Sequence, residues 1–275
     1  MGCCWRCRDR RQVSKGNGQA AINITVWGEN LHEFRDKRVP ELYPGGMHET
    51  IAAGIRQELG GRAVVRTATL DQQDNGLGDE VLGTTDVLTW WGHIGHDQVD
   101  DKVVERVRQR VLQGMGLVVL HSAHLSKIFR SLMGTSCNLR WRSIGERELV
   151  WTVSPGHEIV RGVPAVFAIE AQEMYGEFFD IPQPDELVFI SSFKGGEVFR
   201  SGCCFYRGAG RIFFFGPGDQ DYPVYHHETV KRVLANAVVW AYREGGPLAA
   251  PYEIELAEEG WIESYIREPY PSATK

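Results

Sequence analysis

Long apolar runs are missing from this 275-residue chain. None approaches the roughly 18 residues of a membrane span, so no transmembrane segment is expected. An excess of positive charge is missing as well. The formal net charge is −6, and without a clustered cationic face there is no counterion release to drive nucleic-acid binding. Cysteine is scarce: Cys3, Cys4, Cys7, Cys137, Cys203 and Cys204 make no secretory disulfide framework in a chain of this size. No signal peptide with an apolar core precedes them, so the expected location is a reducing cytoplasm. Internal repeats and long linkers are absent too. What is present is an ordinary globular composition, 43% hydrophobic, long enough to bury a sizeable core as one large domain.

The first 19 residues, MGCCWRCRDRRQVSKGNGQ, combine three cysteines with five basic side chains and no apolar period. They read as a disordered leader or an appended remnant. Met1-Gly2 before Cys3 and Cys4 hints at lipidation, but the myristoylation pattern wants Ser or Thr where Arg6 stands. Cys4-x-x-Cys7 lacks a second ligand pair that would make it a metal site.

From residue 20 the chain alternates strands and helices. INITVW, RAVVRTATL, DVLTWW and GLVVL are apolar, β-rich runs. Between them lie GGMHETIAAGIRQELGG and DDKVVERVRQRVLQGMG, with one apolar helical face each. Asp100 is the expected N-cap of the second and Gly114 its stop. SAHLSKIFRSLMG reads as a further helix. This alternation predicts an α/β protein with a mostly parallel central sheet covered on both faces. The second half changes to strand-like runs split by Ser-Pro-Gly, Lys-Gly-Gly and Arg-Gly-Ala-Gly turns, predicting antiparallel hairpins added to that sheet. A last helix spans about Val224 to Arg243. The expected organisation is a leader over 1–19, an α/β domain over 20–245, and an extension over 246–275 that packs on it.

Four of the nine histidines sit in two H-x-x-H stretches, WWGHIGHDQVDD and GLVVLHSAHLSK. Ligands of such sheets bind outside the carboxyl ends of the strands. His93 follows the third strand and His121 the fourth, and neighbouring strands lie roughly 4.8 Å apart, so their imidazoles can converge. His32, in WGENLHEF, follows the first strand, and Glu173, in EAQEMYGEF, adds a carboxylate from the hairpin region. Imidazoles with one carboxylate suit Zn²⁺ first, with Mn²⁺ or Fe²⁺ as alternatives. The expected metal residues are therefore His32, His93 and His121, with His96 and His124 three residues further round. A loop histidine can equally be a hydrogen-bonded structural residue. His157, in the turn SPGHE, is expected to tolerate alanine.

Other schemes compete for the same strand ends. Ser122 sits where a nucleophile elbow would be, but the flanking glycines of G-x-S-x-G are missing. Cys203 and Cys204 lie inside a hairpin strand and Cys137 follows a helix, so no cysteine occupies an elbow. Trp90, Trp91, Trp141 and Tyr175 are candidates to stack on sugar faces or to fill the core.

WWGHIGHD, VLHSAHLSKIFRSLMGTSCNLRW, EMYGEFFDIPQPDELVFISSF, GGEVFRSGC and VKRVLANAVVWA resemble the ThuA-like, or trehalose utilisation, proteins, from about Ile22 to Tyr242. The resemblance implies a flavodoxin-like three-layer sandwich similar to class I glutamine amidotransferases, without their catalytic triad. It also implies a place in disaccharide catabolism, handling 3-keto-glycosides made by a partner sugar dehydrogenase. One segment departs. Where the family pattern reads Arg-Pro-Gly-His-Glu, this chain has Gly216-Pro217-Gly218-Asp219-Gln220. Asp219 can replace the histidine with an oxygen donor, whereas Gly216 cannot hold an oxyanion as the arginine would.

The functional expectation is a metal-assisted enzyme acting on a keto-disaccharide such as oxidised trehalose, by elimination, isomerisation or hydrolysis. Glu173, His124 and Asp219 are the catalytic candidates. The alternatives are a non-catalytic sugar-binding or regulatory protein that keeps the cleft, and a hydrolase using Ser122. A homo-oligomer stays open.

Overall fold

The computed structural model describes residues 21–246 and 259–260. The leader expected over 1–19 and most of the extension expected over 246–275 lie outside the described residues.

Among the described residues nine strands form one mixed sheet: β1 Ile22–Gly28, β2 Ala63–Thr69, β3 Val87–Trp91, β4 Gly116–Leu120, β5 Arg140–Thr152, β6 Val166–Gly176, β7 Glu186–Ser192, β8 Val198–Arg207 and β9 Gly210–Phe215. Their order is β2-β1-β3-β4-β9-β8-β7-β5-β6. The first four strands pair in parallel, and so do β4 and β9. From β9 outward every pairing is antiparallel. The expected parallel sheet with added hairpins is what forms. In β3 and β4 every residue is buried, because helices cover both faces of the sheet there.

The helices are α1 His32–Arg35, α2 Arg38–Leu42, α3 Met47–Leu59, α4 Asp79–Gly83, α5 Asp101–Leu112, α6 Lys127–Met133 and α7 Glu228–Ala241. Alternate residues of a strand point to opposite faces, and β4 shows the division. Val118 and Leu120 join the core of α3 and α7, whereas Leu117 and Val119 join that of α5 and α6. Asp100 caps α5 as its sequence predicts, accepting from the Lys102 amide at 2.8 Å. The helix expected from Ser122 starts later. A 3-10 turn covers His121–Leu125, and Ser126 then caps α6 by accepting from the Phe129 amide.

For two of the tryptophans the core reading holds. Trp90 and Trp91 are core residues, each 1% exposed. Trp90 stacks on Trp27, and the Trp91 indole donates to the Gly218 carbonyl at 2.9 Å. His157 ends its turn as the cap of a 3-10 segment, Glu158–Val160: its Nδ1 accepts from the Ile159 amide at 3.1 Å and its ring lies 5.7 Å from that of Trp240.

The longest strand does two jobs. β5 joins the sheet through Leu149–Thr152, which pair with β7, while its first half pairs with β6 alone. Register shifts lie between Arg142 and Glu146 and between Glu146 and Glu148, and Gly145 there has φ +74°. Bulges bend and twist a ribbon locally. The bend carries the free end of the β5–β6 ribbon back over the carboxyl end of β4. That is how residues of β6, at the sheet's far edge in strand order, meet a residue that follows β4.

Candidate active site

The buried run of β4 ends in a tight turn that puts His121 at φ +49°. A non-glycine residue in the left-handed region costs about 1–2 kcal/mol and is held there by its surroundings. The flanking glycines of a nucleophile elbow are missing, yet the sharp turn is present, and it presents an imidazole.

That ring is fully buried and fixed on every side. Nδ1 donates to the Gly216 carbonyl at 2.7 Å, which leaves Nε2 as the free nitrogen. Nε2 faces Glu173 Oε2 at 3.1 Å, the Tyr175 hydroxyl at 3.1 Å and Asp219 Oδ2 at 3.6 Å. The ring also stacks on Tyr175 with centroids 4.4 Å apart. The loop after β9 supplies Asp219, and its path depends on Gly218 (φ +144°), where a Cβ would lie 2.1 Å from the Tyr225 hydroxyl.

A neutral His121 would aim a lone pair at two carboxylates, so the cluster calls for a proton or a cation at that spot. Burial alone would lower the His121 pKa, but Asp219 and Glu173 more than offset it and push it up to about 10. Burial would likewise raise Asp219, and its contact with His121 instead holds it below the usual carboxylate range. A metal ion meets the same need. The ligand atoms of His121, Glu173 and Asp219 all lie within 4.8 Å of one another. Bonds of about 2.0–2.2 Å place the donors of one ion roughly 3.0–3.5 Å apart; the 3.1 Å separation lies in that range and the 3.6 Å one just beyond it. One imidazole and two carboxylates suit Zn²⁺, Mn²⁺ or Fe²⁺.

Among the expected metal residues, His121 is in this group, while His32 and His93 fall outside it. The reason is local. His32 Nε2 and His93 Nδ1 face each other at 3.0 Å, with the rings stacked 5.0 Å apart. Burial, then the neighbouring His93, lowers the His32 pKa to about 4. His93 nevertheless lines the same 280 Å³ cavity as Glu173, together with Ser122, His124, Tyr175 and Gln220. His124 gives Nδ1–H to the Cys137 carbonyl at 2.6 Å, and burial lowers its pKa to about 3, so it stays neutral. Ser122 Oγ and Gln220 Oε1 are buried without a hydrogen-bond partner. A serine nucleophile needs an adjacent base, and no histidine hydrogen-bonds to the Ser122 hydroxyl.

Sequence reasoning missed Glu29, although it directly follows β1. Its buried carboxylate accepts the backbone amides of His93, Ile94 and Gly95 at 2.7, 3.0 and 2.8 Å and so fixes the first histidine corner. The role of Tyr175 as a cover over His121 was also missed.

A model of the ThuA family, described as trehalose utilisation, matches residues 39–241. The chain belongs to the ThuA family. That description ties the family to carbohydrate metabolism. Solved ThuA-like proteins are similar in fold. The one from Bacteroides uniformis has a TM-score of 0.61 at 16% identity, covering 85% of this chain and 98% of its own. The one from Parabacteroides merdae scores 0.58 at 14% identity, with 85% and 93% covered. A Salmonella typhimurium protein whose name calls it cytoplasmic scores 0.51 at 11% identity, with 71% and 87% covered. No curated protein matches the chain. No helix among the described residues is long and apolar enough to cross a membrane. In this ThuA chain the departing Gly216–Gln220 segment is part of the site. Gly216 lies so close to Phe199 that an added Cβ would sit 2.8 Å away, so a larger residue would not fit this backbone unshifted.

Proposed function

We propose that this protein is a metal-assisted enzyme of disaccharide catabolism that acts on a keto-glycoside such as oxidised trehalose. The observation that carries the reading is the convergence of His121 Nε2, Glu173 and Asp219 beside the cavity, with the His121 tautomer fixed by the Gly216 carbonyl. These three residues would hold the ion. When bound, it would supply Lewis-acid polarisation of the sugar ketone. Of the two carboxylates, Glu173 lines the cavity, so it is the group that takes the acidified proton beside the ketone. Neutral His124 and the unpartnered Ser122 and Gln220 offer hydrogen bonds to ring hydroxyls. A dehydrogenase that oxidises a sugar hydroxyl would supply the substrate, and the reading sets both proteins in the cytoplasm. It also takes the sheet, helix-covered on both faces, as the flavodoxin-like layering of class I glutamine amidotransferases.

A second reading is a sugar-binding protein without turnover. It is favoured by the charge balance of a protonated His121 between two carboxylates, which needs no ion. One experiment separates the two. Purified protein is analysed for zinc, manganese and iron, and its turnover of 3-keto-trehalose is followed by NMR. Glu173→Gln should lower turnover at least about hundredfold while sugar binding persists. Turnover equal to wild type in that variant would overturn the role of Glu173 as base; binding without turnover in the wild type would overturn the enzyme reading and favour the second.

A further inference from the structure

We infer that the groove beside the cavity, about 560 Å³ and walled by Arg140, Trp141, Arg142, Ser143, Glu177 and Glu197, is a second sugar subsite that holds the outer ring of a disaccharide on Trp141. The inference rests on the function proposed above and deepens it.

Continuity is the first ground. Trp141 and Ser143 line both the inner cavity and the groove. The inner cavity alone, 280 Å³, falls just below the roughly 300–1,000 Å³ of ordinary ligand sites, and the two joined fall well inside that range. The position of Trp141 is the second ground. It pairs across the ribbon with Tyr175, the residue that covers His121. Directly opposed residues of an antiparallel pair share a face, with Cβ atoms roughly 4.5–5.5 Å apart. A ring stacked on Trp141 therefore lies one sugar's reach from the reacting centre.

Exposure is the third ground. Trp141 is 66% exposed, unlike Trp90 and Trp91 at 1% each. One face of a pyranose presents C–H bonds, and an indole offers them a large, rigid apolar surface at little conformational cost. The charge pattern of the groove selects the same class of ligand. The Arg142 guanidinium is spent on Glu146 and Glu197, at 2.8–2.9 Å, and Glu177 is spent on Arg200 at 2.9 Å. Paired in this way they leave little net charge for an anion, and their remaining donors and acceptors suit the hydroxyls of a neutral sugar.

Trehalose and glucose, neither oxidised, are titrated calorimetrically into the wild-type protein, Trp141→Ala and Trp141→Phe, with melting curves to verify folding. Wild type should bind trehalose more tightly than glucose. Trp141→Ala should weaken trehalose about tenfold, or about 1.4 kcal/mol, and leave glucose within about twofold; Trp141→Phe should restore most of the loss. Equal weakening of both sugars, or none, would overturn the subsite. So would equal affinity of the wild type for the two sugars, while leaving the inner site standing. If the wild type binds neither, the subsite fails, while the proposed function stands or falls on turnover of 3-keto-trehalose.

Discussion

At the end of β3, His93 and His96 leave a loop whose amides are gathered by one buried carboxylate, Glu29. At the end of β4, one strand over, His121 and His124 leave a turn where two carboxylates face an imidazole directly. The spacing of the histidines is the same, and the chemistry differs. At the first corner the acid's lone pairs go to backbone N–H groups. Burial then dominates the imidazoles around it: His32 and His96 are each lowered to about 4. At the second corner the acids compete for one nitrogen, and His121 is pushed up to about 10. What a histidine pair does is decided by where its nearest carboxylates spend their oxygens.

The largest effect should separate the corners outright. His121→Ala should weaken zinc at least about hundredfold in competition with a chromophoric chelator, since removal of a partner one shell further out already costs 10–100-fold. His93→Ala should leave zinc affinity nearly unchanged. Equal losses would erase the distinction. Because His121 is fully buried, its variant will also melt lower, so affinity must be read on folded protein. Asp219→Asn, which keeps the volume, provides the second reading.

Next in size is the pH dependence of that binding. A proton on Nε2 excludes an ion, and the neighbouring carboxylates keep that proton bound up to about pH 10. Zinc affinity should therefore rise about tenfold per pH unit between roughly pH 6.5 and 9, rather than level off above the ordinary histidine range. A profile flat above pH 7 would contradict the carboxylate control of His121.

Smaller effects should mark the first corner. Glu29→Gln puts an amide donor against backbone donors and should cost about 1–3 kcal/mol of stability by denaturant titration. Smaller still is the acid limb. His96 is half-buried and neutral, its pKa lowered by desolvation from 6.5 to about 4, so between those values the unfolded chain binds the extra proton. Its share of stability is complete above pH 6.5 and is lost as pH falls toward 4. His96→Asn should reduce the acid loss by up to about 1 kcal/mol per pH unit, and an unchanged acid limb would refute that assignment.

Much of the fold was legible because it is written locally. The runs INITVW and GLVVL announce buried parallel strands, Asp100 announces a helix start, and the glycine-rich turns announce hairpins. His121 was legible as a strand-end residue for the same reason. The partners of His121 were harder to read. Glu173 reaches it from 52 positions away through a bend at Gly145 that no periodicity reports, and Asp219 was singled out only through its departure from the family pattern. The His32–His93 pairing was illegible, because three histidines after three strand ends look equivalent until ring orientation is known. Trp90 and Trp141 are both tryptophans near strand ends, and burial, which sequence gives only on average, separates core from rim.

The bent β5–β6 ribbon also has a thermodynamic consequence. Glu173 and Trp141 ride on it, whereas His121 and Asp219 follow β4 and β9 at the centre of the sheet, so site assembly is the docking of a hairpin arm onto a finished platform. Segments closed over long sequence separations open as cooperative units, at free energies below that of global unfolding. A ligand that bridges arm and platform adds its own binding free energy to that opening. Amide exchange across residues 140–148 and 169–176 should then slow as one block when the site fills, making the arm's protection a direct gauge of occupancy.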